Sequence, residues 1–438
     1  TFNNNNGTST SKIYTSLTMY ASKNQKVTLP DVPKVKGYTN LGWTTEKGET
    51  EPEYSAGDTV KITKATQFYA VRRKSNYYTV SYYLGNGSTN AAYQKLTQTV
   101  EEGTVVTFAK VPARTGYVNQ GWSSKKNSEK ATAKAKCTVN KNITLYAVQK
   151  KAVQLTFHRC DGSTWQKTTL AKGSSYSLPG VRDAEGYTFM GWSTKPMQSV
   201  SPQYEAEEKI TVNGNVDLYA VVFNRTTETD LTEDQLPQVD IYKYKQVIFV
   251  GDSRTEFMEN VLTGMGESAT KNVKFVCSAG KGLDWFTTTG WAQLYSIVQH
   301  DSNSILSKKT AVIFNFGVND LSKSADYAEY YNWIAPQLKS KGCELYFMSV
   351  NPVNRLMLPN AGRADRSEAA VRSFNQYMKA NLSSAYTYID MYSYLKSTGY
   401  SFASDHYGTG TVDDGLHYTT RTYKRIFAKC MDSLRVPA

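Results

Sequence analysis

The sequence predicts a multidomain chain: three small β-rich modules, then an α/β domain wound on both faces of a parallel sheet. Three observations predict it. A motif recurs three times over the first half, the composition changes near residue 225, and beyond that point apolar runs alternate with helical stretches. Length agrees, since 438 residues exceed what one hydrophobic core ordinarily organises.

The repeat is read from two blocks. Gly37-Tyr38-Thr39-Asn40-Leu41-Gly42-Trp43 matches Gly116 to Trp122 and Gly186 to Trp192; some 25 residues later Phe68-Tyr69-Ala70-Val71 matches Leu145 to Val148 and Leu218 to Val221. Alternating stretches such as Tyr78 to Tyr83 and Val153 to His158 predict half-buried strands, with Gly, Asn and Pro supplying turns. The recurring Trp and Tyr fit a sugar-stacking platform or core anchors, and a large aromatic in fixed register favours the anchor. The pattern resembles the Listeria-Bacteroides repeat, the B-type repeat of internalin B. That resemblance implies β-grasp-like modules at 1–74, 75–150 and 151–224, on secreted or cell-surface bacterial proteins, as stalks or adhesive spacers.

The repeats are basic. Through Arg225 there are 29 Lys/Arg against 16 Asp/Glu, and beyond it 22 against 22, so the whole net charge of +13 lies in the first half. Such a surface is drawn to acidic cell-wall polymer or host glycan, or is simply a lysine-rich soluble face. No motif of a nucleic-acid binder is present. No apolar run reaches the roughly 20 residues of a membrane span, and the Asn-rich start lacks a signal pattern, so the chain reads as soluble, as a trimmed secreted fragment would. Five scattered cysteines suggest neither a zinc site nor a disulfide framework.

Residues 225–243 are polar and aperiodic and read as a linker to a domain at 244–438. There the runs Val247-Ile248-Phe249-Val250, Val273 to Val276, Ala311 to Phe316 and Leu345 to Val350 predict buried parallel strands. Helical spacing over Ala325 to Lys339 and Ser367 to Asn381 completes an alternating α/β pattern.

In such a sheet, ligands meet the loops at the carboxyl ends of the strands. Four loops carry candidate chemistry. Gly251-Asp252-Ser253-Arg254 puts a serine at a helix start, where the ordinary role is an N-cap. Ser278 to Asp284 is glycine-rich and lets backbone N–H groups approach a substrate oxygen, although most such loops are turns. Phe316-Gly317-Val318-Asn319-Asp320 offers an amide donor or an Asx-turn. Asp413-Asp414-Gly415-Leu416-His417 places an Asp three residues before one of only four histidines, spacing that lets the carboxylate hold the imidazole.

Together the blocks resemble the SGNH, or GDSL-like, hydrolases over about Gln246 to Leu434. The resemblance implies a flavodoxin-like fold in which Ser253 is the nucleophile, His417 the general base and Asp414 its orienting acid. It implies oxyanion donors at the Ser253 and Gly282 N–H groups and the Asn319 side chain. Gly280 competes with Gly282, and Asp413 with Asp414; Arg254 departs from the family's usual Leu or Ile. Arg254, Lys281, Trp285 and Phe286 are expected beside the cleft, as sugar contacts or rim packing. The activity implied is an extracellular serine esterase that removes O-acyl, foremost O-acetyl, groups from a carbohydrate polymer without metal or cofactor. The other readings are an inactive glycan-binding adhesin and an O-acyltransferase using the same triad.

Overall fold

The structure, a computed structural model, describes residues 1–7, 11–299, 308–404 and 413–435. It divides into two compact units, Thr1–Ala152 and Val153–Ala438.

The first unit holds the first two repeats. In the first, Phe2–Asn3 pairs parallel with Phe68–Lys74, which pairs antiparallel with Tyr38–Thr44; Lys26–Thr28 and Thr59–Lys61 form a separate two-stranded ribbon. The second repeat reproduces this plan with Tyr77–Tyr83, the start of Ile143–His158, Tyr117–Ser123 and the ribbon Thr104–Thr107 with Lys136–Val139. In the third, Leu155 to His158 pair parallel with Val216–Asn224, which pairs antiparallel with Tyr187–Ser193. Each motif tryptophan is buried and donates its indole N–H to a backbone carbonyl: Trp43 to Pro30 at 2.7 Å, Trp122 to Ala109 at 2.6 Å, Trp192 to Pro179 at 2.8 Å. The rings anchor cores and present no sugar platform.

The C-terminal domain is a five-stranded parallel sheet. Numbering its elements from its first strand, these are β1 (Tyr244–Gly251), β2 (Val273–Cys277), β3 (Lys309–Asn315), β4 (Cys343–Met348) and β5 (Tyr386–Ile389), in the spatial order 2-1-3-4-5. Successive side chains of a strand face opposite ways. Ile248, Val250, Val312, Phe314 and Phe347 therefore pack on one side with α2 (Trp291–Gln299), α3 (Ser324–Ser340) and α4 (Glu368–Asn381). Val247, Phe249, Ala311 and Ile313 pack on the other with α1 (Ser253–Thr263), α5 (Met391–Thr398) and α6 (Thr420–Ser433). Covering both faces is why the strands read as unbroken apolar runs. The short strand β5 went unread because its Tyr-Thr-Tyr-Ile alternates like a surface segment.

Two sets of contacts join the third repeat and residues 225–243 to the C-terminal domain. The third repeat does not stand apart from the C-terminal domain: Met190, Val221 and Phe223 lie in the same apolar cluster as Val247 and Phe249. Nor is 225–243 a free linker. Leu236 and Val239 belong to that cluster, and the buried Glu228 accepts hydrogen bonds from Ser401 at 2.5 Å and Arg425 at 3.0 Å, and one from Thr422. Among the described residues no helix is long and apolar enough to cross a membrane.

Candidate active site

Strand β1 delivers the serine. It ends at Gly251, in register with Cys277 of β2 and Asn315 of β3, so the three following loops leave from one edge of the sheet. Asp252 caps α1 by accepting the Arg254 N–H at 3.0 Å, which leaves Ser253 as the first helical residue. The N–H groups of a first turn have no intrahelical acceptor and favour negative charge. Burial pushes Asp252 up to about 6 against the pull of Arg254.

The antiparallel pair β6 (Phe402–Ser404) and β7 (Asp413–Tyr418) delivers the other two groups. Asp414 Oδ1 accepts the Leu416 and His417 backbone N–H groups, each at 2.8 Å, which fixes its carboxylate plane. Its Oδ2 lies 2.5 Å from His417 Nδ1, and His417 Nε2 lies 2.9 Å from Ser253 Oγ. With the Nδ1 proton held by the carboxylate, Nε2 is left to accept the serine hydroxyl. The His417 ring also meets Phe257 edge-on at 4.5 Å.

All three groups are buried. Burial raises Asp414, but the hydrogen bonds and charge of His417 outweigh it and hold the carboxyl below the ordinary 3.8. For His417, burial lowers the imidazole below 6.5 and prevails over the upward pull of Asp414. The ring is therefore neutral at pH 7, as a proton acceptor must be. Asp413, the competing carboxylate, instead pairs with Arg225 at 2.5 Å.

The loops after β2 and β3 are tied together. Asn319 donates its amide to the Lys281 carbonyl at 2.8 Å, while its Oδ1 accepts Arg366 Nη2 at 2.8 Å. An amide nitrogen has two hydrogens, so the second stays available. Asp320 accepts the Leu283 N–H at 2.9 Å and the Tyr327 hydroxyl at 2.8 Å. A Cβ on Gly282 would fall 2.4 Å from Asp320 Oδ2, so this close approach requires glycine. Gly280 has open space but a φ of +71°, the mark of a turn residue.

Residues 247–430 match the family model for GDSL-like lipase/acylhydrolase, and 1–71, 78–148 and 154–221 match that for the Listeria-Bacteroides repeat domain. Three Listeria-Bacteroides repeats precede a GDSL-like acylhydrolase domain. A protein of Evansella cellulosilytica named as a Gly-rich membrane protein is 28% identical over 186 residues, 42% of this chain and 20% of its own length. A second protein of that organism, named as a membrane protein, is 25% identical over 192 residues, 44% of this chain and 27% of its own length. The chain thus spans about a quarter or less of these relatives. A solved structure described as an acylhydrolase from Bacteroides fragilis is 16% identical, covers 46% of this chain and 92% of itself, and has a TM-score of 0.29.

In the GDSL-like domain two expected cleft residues lie elsewhere. Arg254 is buried, donating to the carbonyls of Leu416 at 3.0 Å, Asn351 at 2.9 Å and Pro352 at 2.9 Å, with Tyr418 beneath its guanidinium. It braces the histidine strand against the loop after β4 and cannot meet a sugar. Phe286 is fully buried between Phe314 and Phe316. Lys281 is exposed and Trp285 half-buried against Phe316, so both remain at the rim. His158 lies in the third repeat, stacked on Tyr219 and bonded to Asp217 at 2.8 Å. His300 and His406 fall outside the described residues. Sequence reading missed Asp320 as the loop tie and Arg363, whose guanidinium lies 3.5 Å from Asp414. Only the Asn-Asp pairing hinted at the first, and nothing local pointed to the second.

Proposed function

We propose that the GDSL-like domain is a serine esterase removing O-acyl, foremost O-acetyl, groups from a carbohydrate polymer outside a bacterial cell. The observation that carries this reading is the relay from Asp414 through His417 to Ser253, at 2.5 and 2.9 Å, beside a helix start. Ser253 Oγ attacks the ester carbonyl carbon and passes its proton to His417 Nε2, with Asp414 balancing the imidazolium. The developing oxyanion is met by the Ser253 and Gly282 N–H groups and the Asn319 amide. Collapse breaks the bond to the sugar oxygen, which leaves with the proton from His417. Water, deprotonated by the same ring, then releases the acid from the acyl-serine.

The basic repeats support a polymer target of acidic character, held near the domain by charge. The test is hydrolysis of a small chromogenic acetate ester by the full chain beside Ser253→Ala and His417→Ala, followed by acetate release from acetylated glycans. Turnover lost in both variants supports the reading; a parent inert on the ester and on every acetylated glycan rejects it.

A further inference from the structure

We infer that the third repeat is a positioning module for the acid–base strand, with Asp183 and Arg225 holding β7 so that Asp414 keeps His417 aimed at Ser253. This rests on the reading of those three groups given above.

The geometry is a clamp on both neighbours of Asp414. Arg225, which follows the last strand of the repeat, places Nη1 2.5 Å from Asp413 Oδ2 and Nη2 2.8 Å from Asp183 Oδ2, while its Nε donates to Thr188 Oγ1 at 2.9 Å. Asp183 Oδ1 accepts the Phe189 N–H at 2.9 Å and the Asn354 amide at 2.7 Å. Asn354 in turn donates its backbone N–H to the Gly415 carbonyl at 2.9 Å. Gly415 has a φ of +67°, and a Cβ there would fall 2.4 Å from the Asn354 carbonyl oxygen, so the strand is pressed against this support. One carboxylate of the repeat thus fixes residue 413 through Arg225 and residue 415 through Asn354. Asp414 lies between them.

The first two repeats lack both groups. Counting from the shared glycine, the position of Asp183 is Lys34 in the first copy and Ala113 in the second. Counting from the shared valine, the position of Arg225 is Ser75 and Ala152. The equivalence is structural as well, because Ser75, Ala152 and Arg225 each donate their backbone N–H to the motif glycine, Gly37, Gly116 and Gly186. A module whose sole task was spacing has no use for an Asp–Arg pair found only in the copy beside the catalytic strand.

Neither residue touches the reacting atoms, so the test must separate positioning from mere stability. Full-length Arg225→Ala, Arg225→Lys and Asp183→Asn are compared with the parent by circular dichroism, kcat and KM on a small acetate ester, and the low-field proton NMR signal that disappears in His417→Ala. Misalignment of reacting groups by about 1 Å costs on the order of 100-fold. We expect kcat to fall about 10- to 100-fold in Arg225→Ala, with KM within about twofold and the low-field signal displaced, and partial recovery in Arg225→Lys. Should Arg225→Ala not fold, the near-isosteric Asp183→Asn carries the same readouts. Parental kcat in both Arg225→Ala and Asp183→Asn, or an unmoved proton signal, overturns the inference. A parent that turns over neither the small ester nor any acetylated glycan sinks the esterase reading instead, and the proton signal, which needs no substrate, still decides this one.

Discussion

Before the second glycine of the motif stands Leu41 in the first repeat, Gln120 in the second and Met190 in the third. Two residues past the shared valine stand Arg73, Lys150 and Phe223. Leu41, Arg73 and Lys150 are half-buried and Gln120 is exposed, whereas Met190 and Phe223 are buried in the core of the GDSL-like domain. The indole N–H of the motif tryptophan bonds a backbone carbonyl 13 residues earlier in all three copies, so this core anchor is kept. What differs is one face. Phe223 in place of Arg73 or Lys150, beside Met190 in place of Leu41 or Gln120, makes that face part of a neighbouring core, with about 1.5–3 kcal/mol from each large side chain buried. Buried charge follows the same boundary: Lys396 of α5 lies 2.8 Å from Glu205 of the repeat and 3.1 Å from Glu368 of α4, and donates to the Met190 carbonyl at 2.8 Å.

The largest expected effect comes from cutting the chain at two places. A fragment beginning at Val153 should keep ester turnover within about twofold, because the second unit by itself contains Ser253, Asp414, His417 and the repeat whose apolar side chains join the same core. One beginning at Thr226 should be insoluble or unfolded, since it exposes the apolar face that Met190, Val221 and Phe223 cover. Equal behaviour of the two fragments would erase the distinction drawn here.

Point substitutions sharpen it. Phe223→Ala should lower the stability of the second unit by about 3–5 kcal/mol in urea unfolding and reduce kcat. Phe68→Ala, also at a buried position but in the first repeat, should destabilise that module and leave kcat on the acetate ester alone. Lys396→Met leaves Glu205 and Glu368 buried without their cation and should cost about 3–5 kcal/mol, read by the same unfolding experiment.

A smaller effect concerns pH. Burial holds His417 below its ordinary 6.5, so kcat/KM should fall on the acid side with a midpoint under 6.5 as the imidazole takes up a proton. A midpoint above 6.5 would mean that the pull of Asp414 outweighs burial.

Much of the catalytic domain was legible in the sequence because its strands are buried on both faces. The runs at Val247, Val273, Ala311 and Leu345 each mark a strand, and the expected helices at 325–339 and 367–381 match α3 and α4 within one residue at each end. Asp414 and His417 were legible from a rare histidine three residues after an Asp, and Ser253 only from the resemblance of the four loops taken together; the structure brings all three within hydrogen-bonding reach. Arg254 and Phe286 misled because a charged or aromatic residue next to a reactive loop has the same local signature whether it faces solvent or core. Only tertiary contacts separate the two, as the three backbone carbonyls around Arg254 show. The fusion of the third repeat with the catalytic domain was written at Met190, Phe223 and Arg225, but it emerges only when the three copies are compared face by face.

The most direct test of the account is covalent: treat the full chain with a fluorophosphonate, which phosphonylates activated serines, and map the modified peptide by mass spectrometry. The account predicts one adduct, on Ser253, lost in His417→Ala. No adduct on the folded parent, or an adduct on another residue, would contradict it.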